Sequence, residues 1–254
     1  MKSTSKLHSW LFNFSDNDPL SRLLNAWRFW IVMAAVGAVL GWLAYSVAPP
    51  QYRARATVVI DFNMEDMLPG FDVRKTFHFL DRETRKAEEI AWADDTLATV
   101  AAEVVGTSIT ELRSGKLLLS QPAEGGWHFW AQDADPARAQ KLAAIWIESF
   151  IVNMGEAVEL SAEVEDARDA LAEVVHFSEE PDPEEIEKLT QILMDVSESA
   201  RGVSPYIGIT LTQAANLPTQ RSLSLSIYLF VGAMLFAMVS ALFMLITTRE
   251  YPTQ

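Results

Sequence analysis

The stretch FWIVMAAVGAVLGWLAYSVA, residues 29–48, carries no charged side chain. A second stretch near the other end, SLSLSIYLFVGAMLFAMVSALFMLI, residues 222–246, carries none either. Each is as long as a bilayer-spanning helix, which needs roughly 20 apolar residues. Two spans put both chain ends on one side of a membrane and residues 49–221 on the other. Ser46-Val47-Ala48 has the small residues of a signal-peptide cleavage site. The run before it nevertheless exceeds the usual apolar core of about 7–15 residues, and Pro49-Pro50 follows at once, so the first run is read as a retained anchor.

Charge sets the expected orientation. Residues 1–28 carry Lys2, Lys6, Arg22 and Arg28 against Asp16 and Asp18, and residues 247–254 carry Arg249 and Glu250. Basic residues beside a span stay cytoplasmic. Both tails are expected inside, with 49–221 periplasmic or extracellular. Of the chain's 20 basic and 34 acidic residues, 15 and 31 fall in 49–221, giving that region a net charge of −16. The balance argues against nucleic acid and against docking on anionic lipid headgroups. The chain has no cysteine, which fits an exported domain built without disulfides.

Working inward from the spans, Asp18-Pro19 reads as a helix start, and Leu20, Leu23, Leu24 and Trp27 make an amphipathic helix at the inner surface. Residues 52–62 read as a strand. Residues 88–105 read as a helix ended by Gly106. Lys116–Ser120 and Trp127–Ala131 form a hairpin around Gly125-Gly126. Asp135-Pro136 opens a helix to about His176. In its first half Leu142, Ile145 and Trp146 face one way, while Ile147, Ile151, Met154 and Val158 face nearly the opposite way. A helix apolar on both sides is buried on both sides. One side can cover the sheet; the other needs the 88–105 helix or another subunit. Further on, Ala157, Leu160, Val164, Ala167, Leu171 and Val174 alternate in steps of three and four. So do Ile186, Leu189, Leu193, Val196 and Ala200 beyond the bend at Pro181 and Pro183. These stripes predict an antiparallel helical arm over about 136–200. A returning strand follows at 206–212. The expected class is α+β: two transmembrane helices flanking a membrane-proximal α/β base domain with a protruding antiparallel helical hairpin.

Candidate contacts follow from composition. Gly37 and Gly41 form a GxxxG step, and Ala233, Ala237 and Ala241 recur every four residues. Such stripes let helix backbones approach, pairing the two spans or joining subunits, although Gly and Ala are common in spans by chance. Arg74, Lys75 and Phe77 lie in a basic-aromatic patch suited to sugar or phosphate; the competing reading is a helix with a solvated charged face. His8, His78, His128 and His176 show no ligand spacing, and there is no nucleophile elbow, P-loop or dinucleotide fingerprint. The acidic cluster from Glu179 to Glu187 lacks the ligand spacing of a calcium loop and reads as a solvated tip. No enzyme activity, cofactor or metal is expected.

The order of these features resembles the bacterial polysaccharide co-polymerases, or chain-length determinants, of the Wzz type. Asp18-Pro19-Leu20 to Trp30 is similar to that family's lead-in to its first span. Pro50-Gln51-Tyr52-Arg53-Ala54-Arg55-Ala56-Thr57-Val58-Val59-Ile60 is similar to its first strand. Residues 89–112 resemble its helix and turn, and Asp135-Pro136-Ala137-Arg138-Ala139-Gln140 its helix start. Ala214 to Gln220, with Pro218, resembles its proline-bearing segment, although that segment usually holds two or three prolines. The resemblance implies a non-enzymatic inner-membrane homo-oligomer that regulates the length of an O-antigen, capsule or exopolysaccharide beside a membrane polymerase, with a lipid-linked glycan as a possible further partner. The rival readings are an adaptor for a separate cytoplasmic tyrosine kinase, a two-span sensor needing a partner for output, and an external hydrolase. The short final segment, Thr247 to Gln254, weakens the adaptor reading.

Overall fold

The computed structural model describes residues 27–63, 73–121, 126–177 and 183–247. The elements are α1 (Trp27–Val47), β1 (Tyr52–Asp61), α2 (Val73–Ala91), α3 (Asp94–Glu103), β2 (Leu117–Ser120), β3 (Gly126–Asp133), α4 (Pro136–Phe177), α5 (Pro183–Ser199), β4 (Gly208–Gln213) and α6 (Leu225–Thr247). They fall into two units, residues 1–50 with 220–254, and residues 51–219.

In the first unit α1 packs on α6. Gly37 and Gly41 are buried, and their missing side chains are what permits the approach. A Cβ built on Gly37 would lie 2.3 Å from the Gly232 carbonyl oxygen, and one on Gly41 would lie 2.2 Å from that of Tyr228. Arg221 donates to the Tyr45 carbonyl at 3.1 Å and lies 4.5 Å over the Tyr45 ring. It thus places a cation at the C-terminal end of α1, where the helix dipole favours one. The outer surfaces of both helices stay apolar and exposed, among them Ile31, Val39, Leu235 and Met238. Both helices are long and apolar enough to cross a membrane.

The second unit is an antiparallel sheet in the order β2-β3-β1-β4 with its helices on one face. The register pairs Ala54 with Ala131, Ala56 with Phe129 and Val58 with Trp127. Because strand side chains alternate between faces, Ala54, Ala56, Val58 and Ile60 line the core side together with Phe129 and Trp127. α4 lies across this face. Trp146 meets Phe129 edge-on at 4.7 Å, and Phe150 stacks on Trp127 at 6.4 Å.

The helix expected over 88–105 is interrupted. α2 begins earlier, at Val73, and ends at Ala91; α3 starts at Asp94. The carbonyls freed at the break need other donors. Thr96 Oγ1 donates to the Ile90 carbonyl at 2.7 Å, Trp146 Nε1 to that of Ala91 at 2.8 Å, and Arg113 to that of Trp92 at 2.8 Å. Two of these donors, Trp146 and Arg113, lie outside 88–105, so that stretch read in isolation does not contain the groups that satisfy the break.

α4 spans 42 residues, about 63 Å at 1.5 Å per residue. Its distal half packs along α5 and, near the root, also meets Val203 and Tyr206 through Ser161 and Glu165. Val164 and Ala167 are buried near the root of this arm, whereas Leu171 and Val174 toward the tip are half-exposed.

Candidate functional site

The arm root encloses a cavity of about 340 Å³ lined by Arg82, Ser161, Glu165, Arg168, Ser204 and Tyr206. α2, α4 and the 200–207 connection supply these residues. The connection turns sharply through Arg201 and Gly202, whose φ angles are 52° and 67°, the left-handed region that Gly adopts without penalty. Glu83 beneath it is fully buried. One oxygen accepts the Ser204 backbone N–H at 2.8 Å, and the other accepts the Arg82 guanidinium at 2.6 Å. The Ser161 hydroxyl donates to the Val203 carbonyl, and the Tyr206 hydroxyl reaches Glu165 at 3.4 Å.

Arg201 pairs with Asp95, fastening the arm root to α3. Burial pushes the Asp95 carboxyl up, but the Thr96 backbone N–H and the Arg201 guanidinium outweigh it and hold the group below the usual carboxylate range. The cavity can hydrogen-bond a small polar or anionic group through Arg82, Arg168 and its hydroxyls. Among the described residues no group of three or more His, Cys, Asp or Glu side chains could hold a metal ion.

The residues singled out in the sequence are distributed widely. Arg74 and Lys75 lie in the first turn of α2, and Phe77 is 69% exposed. The later cations of that patch are met by neighbouring carboxylates: Arg82 by Glu83, Arg85 by Asp81 and Lys86 by Glu89. This half of the patch is a charged helix surface. The lead-in helix before residue 27, the hairpin turn at 122–125 and the arm tip at 178–182 lie outside the described residues.

The α4 residues read as a subunit contact are largely covered by the chain itself. Ile147 and Met154 are 4% and 0% exposed, inside the chain's own core. Ile151 and Val158 are partly buried against the same core. Both flanks of α4 are covered from within. The sheet takes one, and α3 takes another through Ser149 Oγ to the Thr96 carbonyl at 3.2 Å and Asn153 Nδ2 to Thr96 Oγ1 at 2.8 Å. Of the two partners the sequence left open, the chain's own helix meets α4 at Thr96.

Gly37 and Gly41 meet α6 along Tyr228, Gly232 and Phe236. Ala233, Ala237 and Ala241 are half-buried one position away. Gly232 and the buried Ser240 went unnoticed in the sequence, although each stands four residues from Phe236. Pro218 is buried in the segment after β4.

No protein-family model and no curated protein matches the chain. Among solved structures it is similar to a full-length bacterial polysaccharide co-polymerase, at 13% identity and a TM-score of 0.39, covering 91% of this chain and 98% of that one. It is also similar to a fragment of WzzB, a polysaccharide co-polymerase from Salmonella Typhimurium, at 13% identity and a TM-score of 0.29, covering 68% of this chain and 99% of that one.

Proposed function

We propose that the chain is a non-enzymatic membrane scaffold that sets the length of a bacterial surface polysaccharide. It crosses the inner membrane through α1 and α6, keeps residues 49–221 outside, and works as a homo-oligomer beside a membrane polymerase. The observation that carries this reading is the pairing of the domain's first and last strands. β1 and β4 are antiparallel from Asp61↔Gly208 to Thr57↔Gln213. Beyond Gln213, Asn216 continues the pairing, exchanging hydrogen bonds with the Arg55 backbone at 2.6 and 3.2 Å. Both chain ends of the domain therefore leave from one end of the sheet, as a domain inserted in a two-helix membrane hairpin requires. The ordered resemblance of residues 18–30, 50–60, 89–112, 135–140 and 214–220 to the co-polymerases supports the same reading. Arg74, Lys75 and Phe77 are the proposed glycan contact.

The test is expression in a bacterium that makes a laddered surface polysaccharide and lacks its own length regulator. The gel ladder should move from a broad distribution to a modal one, and Arg74→Glu with Lys75→Glu should shift the mode. An unaltered ladder with membrane-inserted protein would remove the length-regulator reading. Phosphorylation of a co-expressed tyrosine kinase without any change in ladder would favour the adaptor instead.

A further inference from the structure

The face of the sheet opposite the helices carries an unusual set for a domain of net charge −16. Alternation places Arg53, Arg55 and Thr57 of β1 on it beside Gln132, Trp130 and His128 of β3, in the register Arg53↔Gln132, Arg55↔Trp130 and Thr57↔His128. The Arg53 and Arg55 guanidinium carbons lie 5.7 and 5.3 Å from the Trp130 ring centroid. Arg55 also donates to Gln213 Oε1 at 3.1 Å. The Thr57 hydroxyl lies 3.0 Å from His128 Nδ1.

Elsewhere in the domain carboxylates meet Arg82, Arg85, Arg113, Arg138 and Arg201. Among the described residues none lies within ion-pair distance of Arg53 or Arg55. On this face β1 has one carboxylate, Asp61, six residues beyond Arg55 and hence about 20 Å along the strand. Salt screens charges beyond about 8 Å, so the local face, not the net charge, governs what approaches it. Stacking on an indole leaves guanidinium donors free for bidentate contact with a phosphate.

We propose that Arg53, Arg55 and Trp130 form a docking site for the phosphodiester headgroup of an anionic phospholipid. The inference rests on the membrane reading of α1. Arg53 is six positions along the chain from Val47, about 20 Å at full extension, which keeps the pair within reach of the headgroups of a bilayer that α1 crosses. Trp settles at that level of a membrane, and basic residues there attract anionic lipid.

The test is calorimetric titration of the full chain in neutral detergent with phosphatidylglycerol, phosphatidylcholine and inorganic phosphate. Phosphatidylglycerol should bind saturably and at least tenfold more tightly than phosphatidylcholine. Arg53→Gln with Arg55→Gln should abolish that preference, and Arg53→Lys with Arg55→Lys should restore part of it, with circular dichroism showing both variants folded. Equal binding of inorganic phosphate would point to a soluble anion and overturn the lipid assignment. So would lipid binding untouched by the Gln pair, or loss of oligomer size in that pair with lipid binding intact, which would give the face to a second copy. A chain that stays in solution without detergent would remove the membrane reading itself, a result separable from all of these.

Discussion

Glu83 and Asp133 are two carboxylates with different duties. Glu83 is sealed under the arm root and holds the Ser204 N–H. Glu83→Ala strands that donor, and a buried unsatisfied group costs about 1–3 kcal/mol. Glu83→Gln keeps an accepting oxygen and should cost less. Thermal melts of the detergent-solubilised chain, followed by circular dichroism, would rank the two. Asp133 joins the sheet to the start of α4. It lies 3.2 Å from Lys116 Nζ and 3.5 Å from Arg138 Nε. Burial raises its pKa, but the Asp135 backbone N–H, Lys116 and Arg138 outweigh that and leave it below the ordinary value. A lowered carboxyl pKa contributes stability that is present above the unfolded value, about 3.9, and is lost as pH falls through the folded one. Asp133→Asn should therefore melt earlier than the parent at neutral pH, with the difference shrinking below about pH 4. A constant difference across that window would show that the carboxylate's charge is not what matters.

At the scale of elements, the α1–α6 pair depends on absent side chains. Any Cβ at Gly37 overlaps the α6 backbone at Gly232, which no rotamer can relieve. The chain has no cysteine, so an introduced pair reports cleanly. The Tyr45 and Tyr228 rings lie 5.4 Å apart. Tyr45→Cys with Tyr228→Cys should cross-link under mild oxidation, and adding Gly37→Ile should reduce the yield severalfold. An undiminished cross-link would mean that the helices pair without the glycine step.

For the whole molecule, the core residues of α4 and its exposed back make separable predictions. Met154 is fully buried, and Met154→Ala should lower stability by about 2–5 kcal/mol. Val152, 60% exposed, is free to meet another copy. Val152→Glu should leave the melt within about 0.5 kcal/mol of the parent while reducing the large species on a size column. A wild-type chain that runs as a folded monomer in detergent would remove the oligomer from the proposed function.

The amino-acid order alone determined the two apolar runs, the strand at 52–62, the arm and the α+β class, because each is a local pattern of apolar spacing, proline and glycine that needs no distant partner. Only the tertiary structure decided what those patterns meet. Two apolar flanks on α4 are equally consistent with a neighbouring subunit and with the chain's own α3; the packing at Thr96 shows that α3 covers one of them. Glu83 has the spacing of a solvated helix carboxylate and becomes a core group because the 200–207 connection folds over it. The break at Trp92 depends on donors from Trp146 and Arg113, far along the chain. Arg53 and Arg55 lie in a region of strong negative charge, yet they share a face that carboxylates scarcely reach, since strand alternation and pairing, not net charge, set which side chains stand together.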